Sequence, residues 1–285
     1  MSAALAVAVG AVRLAVSELT DTGRKRKVNE DSILVSSPVF LVADGMGGYE
    51  AGDRASAAVV DAFRTHLAGA GFGTLDSIRD ALVAADAGVA VVAGDTKRGA
   101  GSTVAGAVLI EHEGEPFWLV FNVGDSRVYR HYGSELEQLT VDHSLGQEKV
   151  DRGEMRREDM ATYADRNVIT RAIGAADSTA DSWLVPVTNG ERLLICSDGL
   201  SSELDDESIR ATLTMGGTPE SVVGALVQRA NLNGGRDNIS VVVIDVLSGG
   251  GETDGDYTTG IGGLRDGLDG DPSADDPLDD TTIRV

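Results

Sequence analysis

Val39-Phe40-Leu41-Val42-Ala43-Asp44-Gly45-Met46-Gly47-Gly48 is the stretch on which the rest of the chain can be organised. The apolar run Val39 to Ala43 lies between Pro38 and a group of glycines, the pattern of a short buried strand. Asp44 stands at its end, followed by Gly45, Gly47 and Gly48. Glycine lets backbone carbonyls and amides approach a ligand closely. A carboxylate beside an accessible carbonyl is a hard-oxygen site suited to Mg²⁺ or Mn²⁺. The competing reading is a tight turn in which Asp44 only caps a helix from Tyr49 to Leu67.

Composition narrows the function classes. The formal charge of −22 over 285 residues argues against a sequence-independent grip on nucleic acid, which needs dense Lys and Arg. The one cysteine, Cys196, excludes an internal disulfide and a cysteine-cluster zinc site. Cys196 lies in an apolar strand, where a structural thiol is expected. The first residues, Ala3 to Val16, are apolar but interrupted by Gly10 and Arg13, so no signal peptide is expected. No run reaches the ~18 apolar residues that span a bilayer. The expectation is a soluble, cytoplasmic protein, monomeric and with no membrane or nucleic-acid partner.

Along the chain, Leu5 to Val16 alternates as a strand with a bend near Gly10. Asp21 to Ser32 is a polar loop, basic and then acidic. Ala55, Val59, Ala62, Phe63 and Leu67 recur at helical spacing, and Ile78, Leu82, Ala85 and Val89 mark a second helix over Leu75 to Ala93. Gly94 to Ser102 reads as a break. Thr103 to Glu111, Pro116 to Val123 and Arg127 to Tyr132 follow as strands of an antiparallel meander. Residues 142 to 167 are charged with little apolar periodicity, a solvated insertion or flap. Arg192 to Cys196 is another buried strand. Helices are expected near Asp206 to Met215 and Pro219 to Asn233, and a last strand over Ile239 to Leu247. From Gly249 onward ten acids face two arginines among nine glycines, a segment expected to be disordered. The expected domain therefore spans residues 1–248, with 36 acids against 22 bases, and the tail residues 249–285.

Carboxylates recur beside apolar strands. Asp44 follows Val39 to Ala43, Asp198 follows Leu193 to Cys196, Asp125 follows Phe117 to Val123, and Asp237 precedes Ile239 to Leu247. Strand ends on one rim would bring them together, and like charges so close repel unless a cation lies between them. A turn-forming Asp accounts for any one of them. Four, three with a neighbouring glycine, point to a metal site. Arg26 carries a fork suited to two phosphate oxygens; as a surface residue among Arg24, Lys25 and Lys27 it would need no such role.

Seven motifs occur in one order: Arg26-x-x-Asn-Glu-Asp31, Asp44-Gly-Met-Gly-Gly48, Gly101-Ser-Thr103, Asn122-Val-Gly-Asp-Ser-Arg127, Thr140-Val-Asp-His-Ser144, Cys196-Ser-Asp-Gly-Leu200 and Arg236-Asp-Asn238. In this the chain resembles the metal-dependent serine/threonine phosphatases of the protein phosphatase 2C type, in their compact bacterial branch. The resemblance implies an α+β fold, an αββα sandwich of two antiparallel β-sheets flanked by helix pairs. It also implies a binuclear Mn²⁺ or Mg²⁺ centre. Asp44 would bridge both ions, Asp198 and Asp237 would complete the first, and the Gly45 carbonyl would reach the second. Glu30 and Asp31 would lie near the second ion, directly or through water. Asp125 with Asp198 matches a third, weaker metal site. Arg26 would hold the substrate phosphate, and residues 145–165 would be the variable flap.

The implied reaction is hydrolysis of phosphoserine and phosphothreonine by in-line attack of a metal-bridging hydroxide, without a phospho-enzyme. Some family members carry a histidine after the Asp-Gly pair as a general acid; this chain has Met46 there. His66, His112, His131 and His143 form no metal-ligand pair. Phosphorylated proteins are the expected partners, a serine/threonine kinase among them. Thr281 and Thr282, after Asp279-Asp280, resemble acceptor sites of bacterial membrane-linked threonine kinases, against the plainer alternative of a solvated acidic tail. A phosphoprotein-binding module without turnover, and a phosphatase of small metabolites, stay open at this point.

Overall fold

Strand periodicity explains why several segments are apolar at every position. In β4 (Val39–Gly47), Phe40 and Val42 point to one interior and Leu41 and Ala43 to another, and all four are fully buried. Successive strand side chains face opposite ways, so only a strand covered on both faces reads as a continuous run. β11 (Arg192–Cys196) and β12 (Ile239–Ser248) repeat the arrangement. Leu193, Ile195, Val242 and Ile244 pack inward, while Leu194, Cys196, Val241 and Val243 pack outward.

The computed structural model describes residues 5–47, 51–69, 71–96 and 99–251. The remaining strands are β1 (Leu5–Val9), β2 (Val12–Asp21), β3 (Asp31–Ser36), β5 (Ala100–Ser102), β6 (Val104–His112), β7 (Glu115–Val123), β8 (Arg127–Tyr132), β9 (Glu135–Gln138) and β10 (Asp181–Pro186). One antiparallel sheet runs β1-β2-β12-β11-β8-β9; the other runs β10-β7-β6-β4-β3, with β5 paired to the end of β4. Between them lies a core that includes Val12, Leu14, Phe40, Trp118, Val120, Ile195 and Val242.

Helices cover both outer faces. α1 (Gly52–Leu67) and α2 (Leu75–Gly94) bury Val59, Phe63, Ile78 and Val89 against β4, β6 and β7, and Phe63 stacks on Phe121 at 5.0 Å. On the other side α5 (Asp206–Thr214) and α6 (Pro219–Asn233) place Ile209, Leu213, Leu226 and Ala230 on the outer face of β11 and β12. Local chemistry sets the helix starts. Thr74 and Ser77 form a capping box, and the Asp205 and Thr218 side chains accept the amides of Ser208 and Ser221. The expected αββα sandwich is the architecture found.

Several boundaries differ from expectation. The bend at Gly10 is a hairpin: Val9 pairs with Val12, and Gly10 takes a φ of +55°. α1 begins at Gly52 rather than Tyr49, which lies outside the described residues. β4 continues past Ala43 through Asp44 to Gly47, because β3 and β5 pair with its far end. That pairing also turns the expected break before Ser102 into a short strand.

β9 and β10 were not foreseen. Both are edge strands, one polar and one ending at Pro186, a position where the missing amide costs nothing. The flap contains α3 (Leu145–Asp151) and a 3₁₀ turn (Arg157–Thr162). The ordered body extends past residue 248: the Gly250 amide donates to Asn189 Oδ1 and the Gly251 amide to the Val187 carbonyl. The expectations for residues 252–285, including Thr281 and Thr282, lie outside the described residues.

Candidate metal centre

Register carries the acids to one rim. Asp31, the first residue of β3, pairs with Asp44 within β4. Asp125 sits in the β7–β8 turn, Asp198 opens the short helix α4 (Asp198–Ser201) directly after β11, and Asp237 precedes β12. β11 and β12 are neighbours, so their acids meet from one sheet while Asp44 arrives from the other and Asp125 from the turn that links the two. Arg26, Glu30, Asp44, Gly45, Asp125, Asp198 and Asp237 line a pit of about 220 Å³. Asp31 is buried and does not line it.

Close backbone approach builds this rim. A Cβ on Gly45 would lie 1.9 Å from the Gly52 carbonyl oxygen, and one on Gly199 would lie 1.8 Å from that of Asn238. Any other residue would push β4 off α1, or Asp198 off Asp237. Thr103 secures Asp44, whose amide donates to Thr103 Oγ1 at 3.1 Å while the Thr103 amide donates to the Asp44 carbonyl at 2.9 Å. Asn238 ties down the Arg26 loop. Its Nδ2 donates to the carbonyls of Thr22 and Val28, and its Oδ1 accepts the Glu30 amide.

The electrostatics are those of unbalanced acid. Burial, and then Asp31, Asp198, Asp125 and Asp237, push the Asp44 carboxyl well above its ordinary 3.8. Burial and Asp198 do the same to Asp125. Asp31 is raised to about 7, chiefly by burial, and Asp198 to about 6, by burial and then Asp237. Two carboxylates ~4 Å apart repel by about 4 kcal/mol at the effective dielectric of a protein surface. Few cations answer them. Arg26 donates to Asp237 Oδ2 at 2.7 Å, but half its side chain is exposed. Arg127 is spent on Asp142, which it grips through Nε and Nη2, and on Tyr129.

This donor set fits divalent cations. It is all oxygen and like-charged, with Asp31 and Asp125 buried and the other acids half-buried, the chemistry of a hard-ion site. Asp31 Oδ2 accepts from Ser197 at 2.9 Å, yet its Oδ1 is buried with no hydrogen-bond partner among the described residues. As they stand, no three His, Cys, Asp or Glu side chains among the described residues are grouped tightly enough to form a finished cage.

His143 does not face the pit. Its Nδ1 accepts the Gly124 amide at 3.1 Å and its Nε2 meets Asp181 at 3.2 Å, so it holds the turn that carries Asp125. Met46 lines the pit where the general acid would stand. Cys196 is buried, its thiol pushed up to about 12 by burial. Sequence reasoning missed Asn167 and Ile169, which also line the pit. They sit in an irregular segment that no periodicity marks. Asn238 stood in a quoted motif, but its anchoring role needed coordinates.

Comparison with known proteins places this geometry. The family description Protein phosphatase 2C matches residues 23–226. The serine/threonine phosphatase Stp of Listeria monocytogenes is 32% identical over 239 residues, 79% of this chain and 93% of that protein. The crystal structure of the Mycobacterium tuberculosis serine/threonine phosphatase PstP/Ppp superposes with a TM-score of 0.77 at 30% identity, over 83% of this chain and 100% of that one. A structure of the PstP catalytic domain in complex with two manganese ions matches at a TM-score of 0.73 and 29% identity, over 83% of this chain and 99% of that one. The matched span covers the Arg26 loop, Asp44, Asp125, Asp198 and the whole sheet β10-β7-β6-β4-β3, and the chain belongs to the protein phosphatase 2C family.

Proposed function

We propose that this chain hydrolyses phosphoserine and phosphothreonine in proteins with the help of Mn²⁺ or Mg²⁺. The observation that carries this is the pit itself, with four aspartates and Glu30 lining it and Arg26 at its lip. Asp44, Asp198, Asp237 and the Gly45 carbonyl would hold two ions, with Asp31 and Glu30 steering the second. Asp125 and Asp198 would serve a weaker third site. When bound, the cations neutralise phosphoryl charge and make water acidic enough to attack near neutral pH.

The chain's own groups do the rest. Arg26 forks onto two phosphate oxygens and releases Asp237 as it does so. The backbone around Gly45 and Gly199 keeps the acids within one pit, so the phosphorus is met in line by water. Ser, Thr, Cys and His are absent from the pit-lining set among the described residues, and the aspartates there are assigned to the cations, which favours direct hydrolysis over a phosphorylated side chain. With Met46 in the lining, the leaving alkoxide takes its proton from solvent at the open mouth.

Proteins phosphorylated on serine or threonine are the proposed substrates, and the kinase that phosphorylates them is a proposed partner. No helix among the described residues is long and apolar enough to cross a membrane, and we place the activity in the cytoplasm. The test is phosphate release from p-nitrophenyl phosphate and from a phosphothreonine peptide, with Mn²⁺ and then with EDTA. Turnover that survives thorough chelation would overturn the metal assignment. Turnover of small esters with none of the peptide would favour a metabolite phosphatase instead.

A further inference from the structure

A second and larger cavity, about 520 Å³, opens beside the pit. Asp125, Asn167 and Asp198 line both, so the two adjoin. The smaller pit suits a phosphoryl group and the side chain that bears it. The adjoining space is where the residues flanking that side chain would lie.

Its charges sort into spent and unspent. Asp142 is gripped by Arg127, Glu203 takes the Arg236 guanidinium at 2.8 Å, and Asp205 caps α5 through the Ser208 amide at 2.8 Å. Arg157 and Arg166, from the flap side, are different. Arg157 reaches only Gln147 Oε1 at 3.4 Å, and Arg166 only the Tyr163 carbonyl at 3.5 Å. Neither is paired with a carboxylate among the described residues. Asp125 and Asp198, on the wall shared with the pit, belong to the proposed cations, and the two flap-side guanidinium groups are left without a carboxylate partner in a chain of formal charge −22. Met160 and Leu204 supply apolar wall between the two sides.

We infer that this cavity binds an anionic side chain of the substrate polypeptide, close in sequence to the phosphorylated residue, with Arg157 and Arg166 as its counter-charges. A glutamate fits the chemistry, its methylenes on Met160 and Leu204 and its carboxylate on the guanidinium groups. The body as a whole is acidic and repels such a substrate, so recognition is local to this cavity. The inference rests on the phosphatase reading above.

The test compares Mn²⁺-loaded full-length protein on phosphothreonine peptides with Glu, Ala or Lys at each flanking position, alongside p-nitrophenyl phosphate. Glu at one or two positions should raise kcat/KM about tenfold over Lys, the order expected of two part-exposed ion pairs. The gain should fall in KM, since the contact is made equally in ground and transition states. Arg157→Ala/Arg166→Ala should reduce that preference to within about twofold and leave p-nitrophenyl phosphate turnover unchanged, while Arg→Lys at both sites should retain it. A doubly phosphorylated peptide separates the sources: preference for it alone assigns the cavity to a second phosphate, preference for Glu to a carboxylate. Equal rates on Glu, Ala and Lys peptides, or a preference that survives the double alanine variant, would overturn the inference while p-nitrophenyl phosphate turnover keeps the phosphatase reading intact. Loss of all metal-dependent turnover in the unaltered protein would overturn both.

Discussion

In EDTA the protein should be more stable at pH 5 than at pH 8. A carboxyl raised above its unfolded value resists ionisation in the folded state. The resulting penalty is absent below the unfolded pKa, grows as pH rises through the gap, and is complete above the folded pKa. Asp31 moves from 3.8 to about 7, chiefly through burial, and Asp198 from 3.8 to about 6. At about 1.36 kcal/mol per pH unit these amount to about 4 and 3 kcal/mol. The acids act on one another, so the two figures overlap rather than add.

Part of the Asp31 penalty is already present at pH 5, and the two pH units left between 5 and about 7 amount to about 3 kcal/mol, which corresponds to about 8 °C in Tm for a protein of this size. Asp181 does not interfere. Burial raises its carboxyl, but His143 and Arg171 outweigh that and hold it at about 2, so its contribution is lost only below the tested range. Burial, with Arg192 and Arg210, pushes His131 down, which subtracts stability at the acid end. The assay is differential scanning fluorimetry from pH 5 to 8 in EDTA. Asp31→Asn should remove much of the pH dependence, and the exposed Asp80→Asn none of it. Mn²⁺ at 100 times its Kd should restore about 2.7 kcal/mol at pH 8. A Tm at pH 8 equal to or above that at pH 5, or an Asp31→Asn protein with the full dependence, would refute the reasoning.

Asp44→Ala and Asp237→Ala should lose Mn²⁺ binding by calorimetry and nearly all turnover. Arg26→Ala should keep the metal and raise KM about tenfold, the worth of one charge-assisted contact; comparable metal loss there would mean the roles are misassigned. Asn238→Ala removes three hydrogen bonds and should cost about 2–3 kcal/mol in urea unfolding, with faster amide exchange over residues 22–30. Cys196, buried and with its thiol pushed up to about 12, should resist iodoacetamide in the native protein by intact mass. Truncation after Gly251 should leave p-nitrophenyl phosphate turnover unchanged. Truncation after Leu247 also removes the bonds of Gly250 and Gly251 and should lower stability by about 1–2 kcal/mol.

Much of the fold was legible because its strands are covered on both faces. Val39 to Ala43, Leu193 to Cys196 and Val241 to Ile244 are apolar throughout, and α1 and α2 carry a clear helical period. The candidate ligands were legible too, since each acid stands beside such a strand and the glycines next to Asp44 and Asp198 mark close backbone approach. β9 and β10 were not legible: β9 is a short polar edge strand, and β10, though partly buried, is held by β7, a partner distant in sequence.

Only the tertiary structure could decide the rest. Sequence placed Asp31, Asp44, Asp125, Asp198 and Asp237 at element ends or turns; antiparallel register across two sheets decided that four of them share a pit and that Asp31 lies buried beside it. It also decided which acids are already answered, since no local pattern shows that Asp142 and Glu203 each meet an arginine. Arg127 and Arg236 neutralise these two, and no arginine or lysine among the described residues forms an ion pair with Asp44 or Asp198. Whether a charge is spent depends on what long-range packing brings within about 4 Å of it, and local sequence carries no record of that distance.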